Sequence, residues 1–165
     1  MAAQLEATGE EVALLANLDS YPAEPGEPAP TDVELLTAVL EYCGLETAAN
    51  DDGGPTPETV RDALRRADSP LGDLDIPRLV DVMRNHVRLV QEHTPGRVRT
   101  PVHLFVAELG LTPEERAARP GRWAAHTDGG TAVHPVPCGH EFMMHSGPQA
   151  AIGQAVADEL ALLHT

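Results

Sequence analysis

Asp19 and His140 are the two residues whose types and settings could move a proton. Asp19 closes the apolar run VALLANL, and His140 follows Gly139 in the stretch VHPVPCGHEFMMH. A histidine whose ring is held by a carboxylate can take a proton from a hydroxyl nucleophile and return it to a leaving group. Each residue alone has a plainer role. An aspartate after a strand is more often a turn former or a helix cap, and a histidine in a loop is more often simply solvated. Both follow apolar runs with the look of strands, and that shared setting favours acid–base work.

The same stretch offers metal donors. His134, Cys138, His140 and His145 could supply nitrogen and sulfur ligands. His134 falls inside a strand pattern, and neither C-x-x-C nor H-E-x-x-H spacing occurs, so metal binding ranks below a base at His140. Cys138 as a nucleophile is weaker still. It stands two residues from His140, whereas catalytic Cys/His pairs meet across a fold. Its plain role is a small residue at a strand end. Trp123 and Tyr42 read as core or lid packing.

Such side chains need strand ends to hold them, and the chain can supply these. It has 165 residues, 42% of them hydrophobic, enough for one domain or a large part of one. Its 26 acidic and 11 basic residues give a net charge of −15, which argues against nucleic acid and anionic membranes as partners. No run of about 18 apolar residues suggests a membrane span. The N-terminus, MAAQLEATGEE, has no signal-peptide character. Two cysteines, Cys43 and Cys138, make no disulfide framework, and a cytoplasmic setting is expected.

Periodicity then divides the chain. Ala2 to Thr8 is predicted helical, ended by Gly9. Val12 to Leu18 is nearly all apolar, as in a strand buried on both faces of a parallel sheet, and Pro22 blocks its extension. PAEPGEPAPT is a loop. Three helical patterns follow, in VELLTAVLEYCGL with Asp32 as cap, in PETVRDALRRA opened by Thr56 and Pro57, and in IPRLVDVMRNHVRLVQEHT; ANDDGGPTP links the first two. VHLFVAEL is a second buried strand, TPEERAAR a helix with a Thr112/Glu115 capping box, TAVHPVP a third strand, and PQAAIGQAVADELALL an amphipathic closing helix from Pro148. Buried strands alternating with helices imply an α/β fold with a mostly parallel sheet flanked by helices. Ligand sites in such sheets lie beyond the carboxyl ends of the strands, where Asp19 and His140 both fall.

Four stretches carry a family resemblance: EEVALLANLDSYP, PVHLFVAEL, VHPVPCGHEFMMHSGP and AIGQAVADELALL. In order and spacing they resemble the C-terminal part of a type I thioesterase domain of the α/β-hydrolase superfamily, as found in nonribosomal peptide synthetases and polyketide synthases. Leu18, Asp19, Tyr21 and Pro22 match its Leu-Asp strand end. Gly139, His140, Met143, Met144 and Pro148 match its Gly-His loop. The resemblance implies a partial α/β-hydrolase fold over residues 1–165. Residues 1–22 would form a helix and the strand ending in the acid, 31–96 a helical lid, and 101–165 the later strands, the His loop and the closing helix. It also implies Asp19 as triad acid, His140 as general base, and acyl or peptidyl transfer from a phosphopantetheine carrier, with no cofactor. The expected partners are an acyl or peptidyl carrier domain and the rest of the same thioesterase domain.

One departure from the family is plain. The nucleophile should occupy a G-x-S-x-G elbow. The serines here are Ser20, Ser69 and Ser146, and none lies in such a motif. The expectation is that the serine stands outside this sequence, with Met1 internal to a longer protein or the start of a truncated frame, and that the chain alone is inactive. A noncatalytic module that binds a carrier protein and a small metal-binding protein are the alternatives.

Overall fold

The computed structural model describes residues 1–24, 26, 28–45 and 53–163. It forms two compact units, Met1–Pro22 together with Thr94–Thr165, and Ala23–His93.

The first unit is built on three parallel strands, β1 (Leu15–Leu18), β2 (Val102–Ala107) and β3 (Thr131–Val136), in that spatial order. Helices α1 (Ala2–Ala7), α5 (Pro113–Ala118) and α6 (Ser146–Leu162) accompany them. The α/β-hydrolase type of sheet expected from the sequence is present. β2 is the central strand, paired with β1 on one side and β3 on the other, and its run VHLFVA suits burial from both faces. Val102, Leu104, Phe105, Val106 and Ala107 are all buried. Phe105, Ala107, Val136, Cys138 and Met143 form a core cluster, and Ile152, Ala155 and Val156 of α6 pack against it.

β1 departs from its expected form. It spans four residues rather than seven, and half-buried positions alternate with exposed ones, Leu18 among the exposed. Among the described residues it pairs with β2 alone, so it is an edge strand of this sheet. β2 is also shorter than its apolar pattern. Leu109 is exposed, and the positive φ of Gly110 turns the chain away.

Glu6 of α1 ties this helix to the approach to β2. Its carboxylate accepts hydrogen bonds from the backbone nitrogens of Arg99 at 2.8 Å and Thr100 at 3.1 Å, and from the Thr100 hydroxyl at 2.9 Å. The Arg99 backbone bond, helped by those from Thr100, holds the carboxyl below its ordinary pKa despite burial, which pulls the other way. A depressed folded-state pKa stabilises the fold above the unfolded value of ~4.3, and that stability is lost as pH falls through the lower folded value. Glu6→Gln is therefore expected to destabilise the unit at pH 7 and to flatten its acid unfolding. Trp123 lies in this unit, so its fluorescence during denaturant unfolding at neutral and acidic pH reports the change. Equal pH dependence for both proteins would remove this role.

The second unit is helical: α2 (Asp32–Tyr42), α3 (Pro57–Arg66) and α4 (Ile76–Glu92). Apolar residues three and four apart place Leu35, Leu36, Val39, Leu40, Val60, Leu64, Ile76 and Val80 in one core. The caps at Thr56 and Thr112 form as predicted, each in a capping box. At α2 the cap is Thr31 rather than Asp32, because the Thr31 hydroxyl reaches Glu34 N while the Glu34 carboxylate returns to Thr31 N. Asp32 becomes the first helical residue. Tyr42 is 70% exposed and so takes no part in a core. Residues 49–52 of the ANDDGGPTP linker lie outside the described residues.

Candidate functional site

Asp19 and His140, 121 positions apart, meet at the carboxyl edge of the sheet. β1 delivers Asp19. Leu18 pairs with Phe105, and the Asp19 nitrogen donates to the Phe105 carbonyl at 2.8 Å, continuing the ladder one residue beyond the strand. The backbone then turns, with Asp19 at φ 43. Asp and Asn tolerate this left-handed region better than other residues with a Cβ. The side chain is thereby directed inward and is buried.

β3 delivers His140. The Val136 carbonyl accepts from Glu108 N at 3.0 Å, and the Cys138 carbonyl accepts from Leu109 N at 3.1 Å. These bonds strap the segment after β3 to the end of β2. His140 opens a 3₁₀ turn, His140–Phe142, and Met143 just beyond is buried in the core cluster. The loop is held on both sides of the histidine.

His140 Nδ1 lies 2.9 Å from Asp19 Oδ2. A carboxylate only accepts, so in the neutral imidazole Nδ1 carries the proton and Nε2 the lone pair. The His140 side chain is 68% exposed and that of Asp19 only 4%. An anchored, buried carboxylate thus orients a ring whose other nitrogen can meet an incoming group. The remaining Asp19 oxygen is occupied too. Oδ1 accepts from the Tyr21 hydroxyl at 2.8 Å and from Ala107 N at 3.3 Å. Burial, and then Asp19, raise the Tyr21 pKa, so its hydroxyl stays protonated and donates; the Arg119 guanidinium above its ring opposes this more weakly.

Sequence reasoning gave Tyr21 no role beyond the family pattern. The signal was its place two residues after Asp19, within reach of the same carboxylate. Tyr21→Phe removes a hydrogen bond to a charged group, a loss of about 1.5–3 kcal/mol. Unfolding followed at Trp123 is the check, and a cost well under 1 kcal/mol would show that Ala107 N alone holds Oδ1.

The other expected donors go elsewhere. Cys138 is buried, and burial, with Glu141 and Asp19 nearby, raises its thiol pKa, so it is no thiolate nucleophile. The metal set His134, Cys138, His140 and His145 does not assemble. Among the described residues, the His/Cys/Asp/Glu group that converges is His103, His134 and Glu159. His134 lies inside β3, where side chains alternate between faces, and its ring stacks on Phe105 rather than joining the Asp19 pair. Burial, followed by the neighbouring His103, lowers the His134 pKa. Trp123 donates its indole N–H to the Ser20 carbonyl at 2.9 Å. The Ser20 hydroxyl bonds the Leu18 carbonyl, Ser69 caps a 3₁₀ turn, and Ser146 opens α6.

The parallel sheet, with an acid and a histidine joined at its carboxyl edge, gives the chain the fold of an α/β-hydrolase-type thioesterase domain. The NocB thioesterase domain, solved in covalent complex with a fluorophosphonate nocardicin G analog, matches with a TM-score of 0.59 at 22% identity. The match takes in 97% of this chain and 59% of that one. A dimodular nonribosomal peptide synthase of Bacillus subtilis (strain 168) is 32% identical over 172 residues, covering 99% of this chain and 7% of that protein. A probable non-canonical nonribosomal peptide synthetase, CymA, of Salinispora arenicola (strain CNS-205) is 27% identical over 169 residues, covering 97% and 2%. The chain thus spans a small part of the curated relatives it matches. No protein-family model matches the sequence. The solved structure it matches is thus a thioesterase domain, and the curated sequences it matches are nonribosomal peptide synthetases. Among the described residues, no helix is long and apolar enough to cross a membrane.

Proposed function

We propose that this chain is the acid–base part of a thioesterase that releases an acyl or peptidyl chain from a phosphopantetheine carrier. The observation that carries the proposal is the 2.9 Å contact between buried Asp19 and the outward-facing ring of His140. In this mechanism His140 Nε2 takes the proton of a serine hydroxyl as its oxygen attacks the thioester carbonyl. Asp19 stabilises the imidazolium, which then protonates the departing thiol and leaves an acyl-serine. Water, or a nucleophile of the acyl chain, is deprotonated by the same nitrogen and frees the product as the serine regains its proton.

The serine and the oxyanion donors stand on a segment outside these 165 residues. The absence of a G-x-S-x-G motif and the match to 59% of a thioesterase domain support that assignment. The partner is an acyl or peptidyl carrier domain.

Thiol release from an acyl-pantetheine substrate tests both parts. The chain alone is expected to give background rates, and the chain joined to the serine-bearing segment of the parent protein to give turnover. Activity in the chain alone, abolished by His140→Ala, would overturn the external serine. A folded but inactive joined protein would overturn the thioesterase assignment.

A further inference from the structure

α6 lies on the core cluster through Ile152, Ala155 and Val156. Position 159 continues their spacing of three and four, so it falls on the same helical face, where an apolar side chain would be expected. Glu159 stands there instead. Opposite it are two imidazoles on neighbouring strands, His103 on β2 and His134 on β3. His103 Nδ1 lies 3.2 Å from His134 Nε2 and 3.8 Å from Glu159 Oε1. One ligand atom from each residue lies within 4.8 Å of the other two. The His134 ring is held against Phe105, with centroids 4.7 Å apart. Three half-buried donor groups from three elements therefore converge beneath a helix with no fully buried residue of its own.

Nitrogen and oxygen ligands bind a four-coordinate zinc-class ion at ~2.0–2.2 Å, which sets neighbouring ligand atoms roughly 3.3–3.5 Å apart in a tetrahedron. The two distances from His103 bracket that spacing, and all three ligand atoms lie within 4.8 Å of one another. Two imidazoles and one carboxylate suit borderline first-row cations rather than calcium or magnesium. The net charge of −15 favours any cation.

We propose that His103, His134 and Glu159 form a site for one zinc-class divalent cation, with water as fourth ligand, that clamps α6 to β2 and β3. The trio shares no residue with the Asp19–His140 pair, so the ion serves structure rather than the proton relay.

Zn²⁺ itself is the probe, titrated into the purified, metal-stripped chain against a chromophoric chelator. The expected result is one equivalent bound per chain, with a rise in Tm. Glu159→Gln and His134→Gln, which keep side-chain length or bulk, are expected to weaken binding at least tenfold and to abolish that rise. Glu159 is partly exposed, so its variant stays folded even if the His134 variant does not. His145→Ala and His140→Ala are expected to bind as the unchanged chain does. Absence of saturable binding up to about 1 mM would reduce the trio to a hydrogen-bonded histidine pair and overturn the proposal. Binding lost with His140→Ala or His145→Ala, but kept with Glu159→Gln, would overturn it as well.

Discussion

In the chain joined to the proposed serine-bearing segment, Asp19→Asn is expected to lower thioester release by about 10⁴-fold, and His140→Ala by that much or more. The structure gives a specific reason for the first loss. An asparagine tolerates the φ of 43 at this position, so the backbone stays in place. The Tyr21 hydroxyl and Ala107 N both donate to Oδ1, so the introduced amide must put its carbonyl oxygen there. Its NH₂ then replaces Oδ2 and donates to His140 Nδ1. That fixes the opposite tautomer, with the proton on Nε2, and the base can no longer accept one. Single-turnover acylation separates this from a folding defect, since circular dichroism and Tm should barely change. A loss under tenfold for Asp19→Asn, with fold intact, would mean that Asp19 does not set the tautomer and that the proposed roles are wrong.

Phe105→Ala is expected to cost about 3–5 kcal/mol of stability in the sheet unit. Phe105 is 1% exposed on the central strand and packs in the cluster with Ala107, Val136, Cys138 and Met143. Removing the ring opens a cavity between the sheet and α6, next to the buried anchor of the His140 loop. Domains of this size are stable by only ~5–15 kcal/mol, so the loss is a large share of the total. Denaturant unfolding monitored at Trp123 measures it within this unit. A cost below about 1 kcal/mol would show that the cluster collapses around the gap and is not the unit's main core. The Phe105 carbonyl also holds Asp19 N, so a larger fall in activity than in folded fraction would show the site feeling the cavity.

Much of the architecture follows from local sequence. The three- and four-residue spacing of Leu35, Leu36, Val39 and Leu40 is enough to make α2 and its buried face, and Thr112 with Glu115 is enough to start α5. The run VHLFVA is apolar enough to be buried on both sides, and it forms a strand that is. The end of an apolar run at Asp19 and the Gly-His pair at 139–140 likewise mark the edge where chemistry is possible.

Other features depend on what lies across the fold. VALLANL is as apolar as β2, yet only four of its residues form a strand and Leu18 is exposed, because strand burial depends on the neighbours present and not on the run itself. The cap of α2 falls at Thr31 and not Asp32 because capping depends on which side chain reaches the third residue of the helix. The partners of Asp19, namely His140 Nδ1, the Tyr21 hydroxyl and Ala107 N, are set by the register Leu18–Phe105 and by the straps from β2 to the loop after β3. His103, His134 and Glu159 stand far apart in the chain and match no spacing motif. The strand pairing of β2 with β3 and the packing of α6 bring them together, because parallel strands and a helix laid on them juxtapose residues whose sequence separation carries no signal.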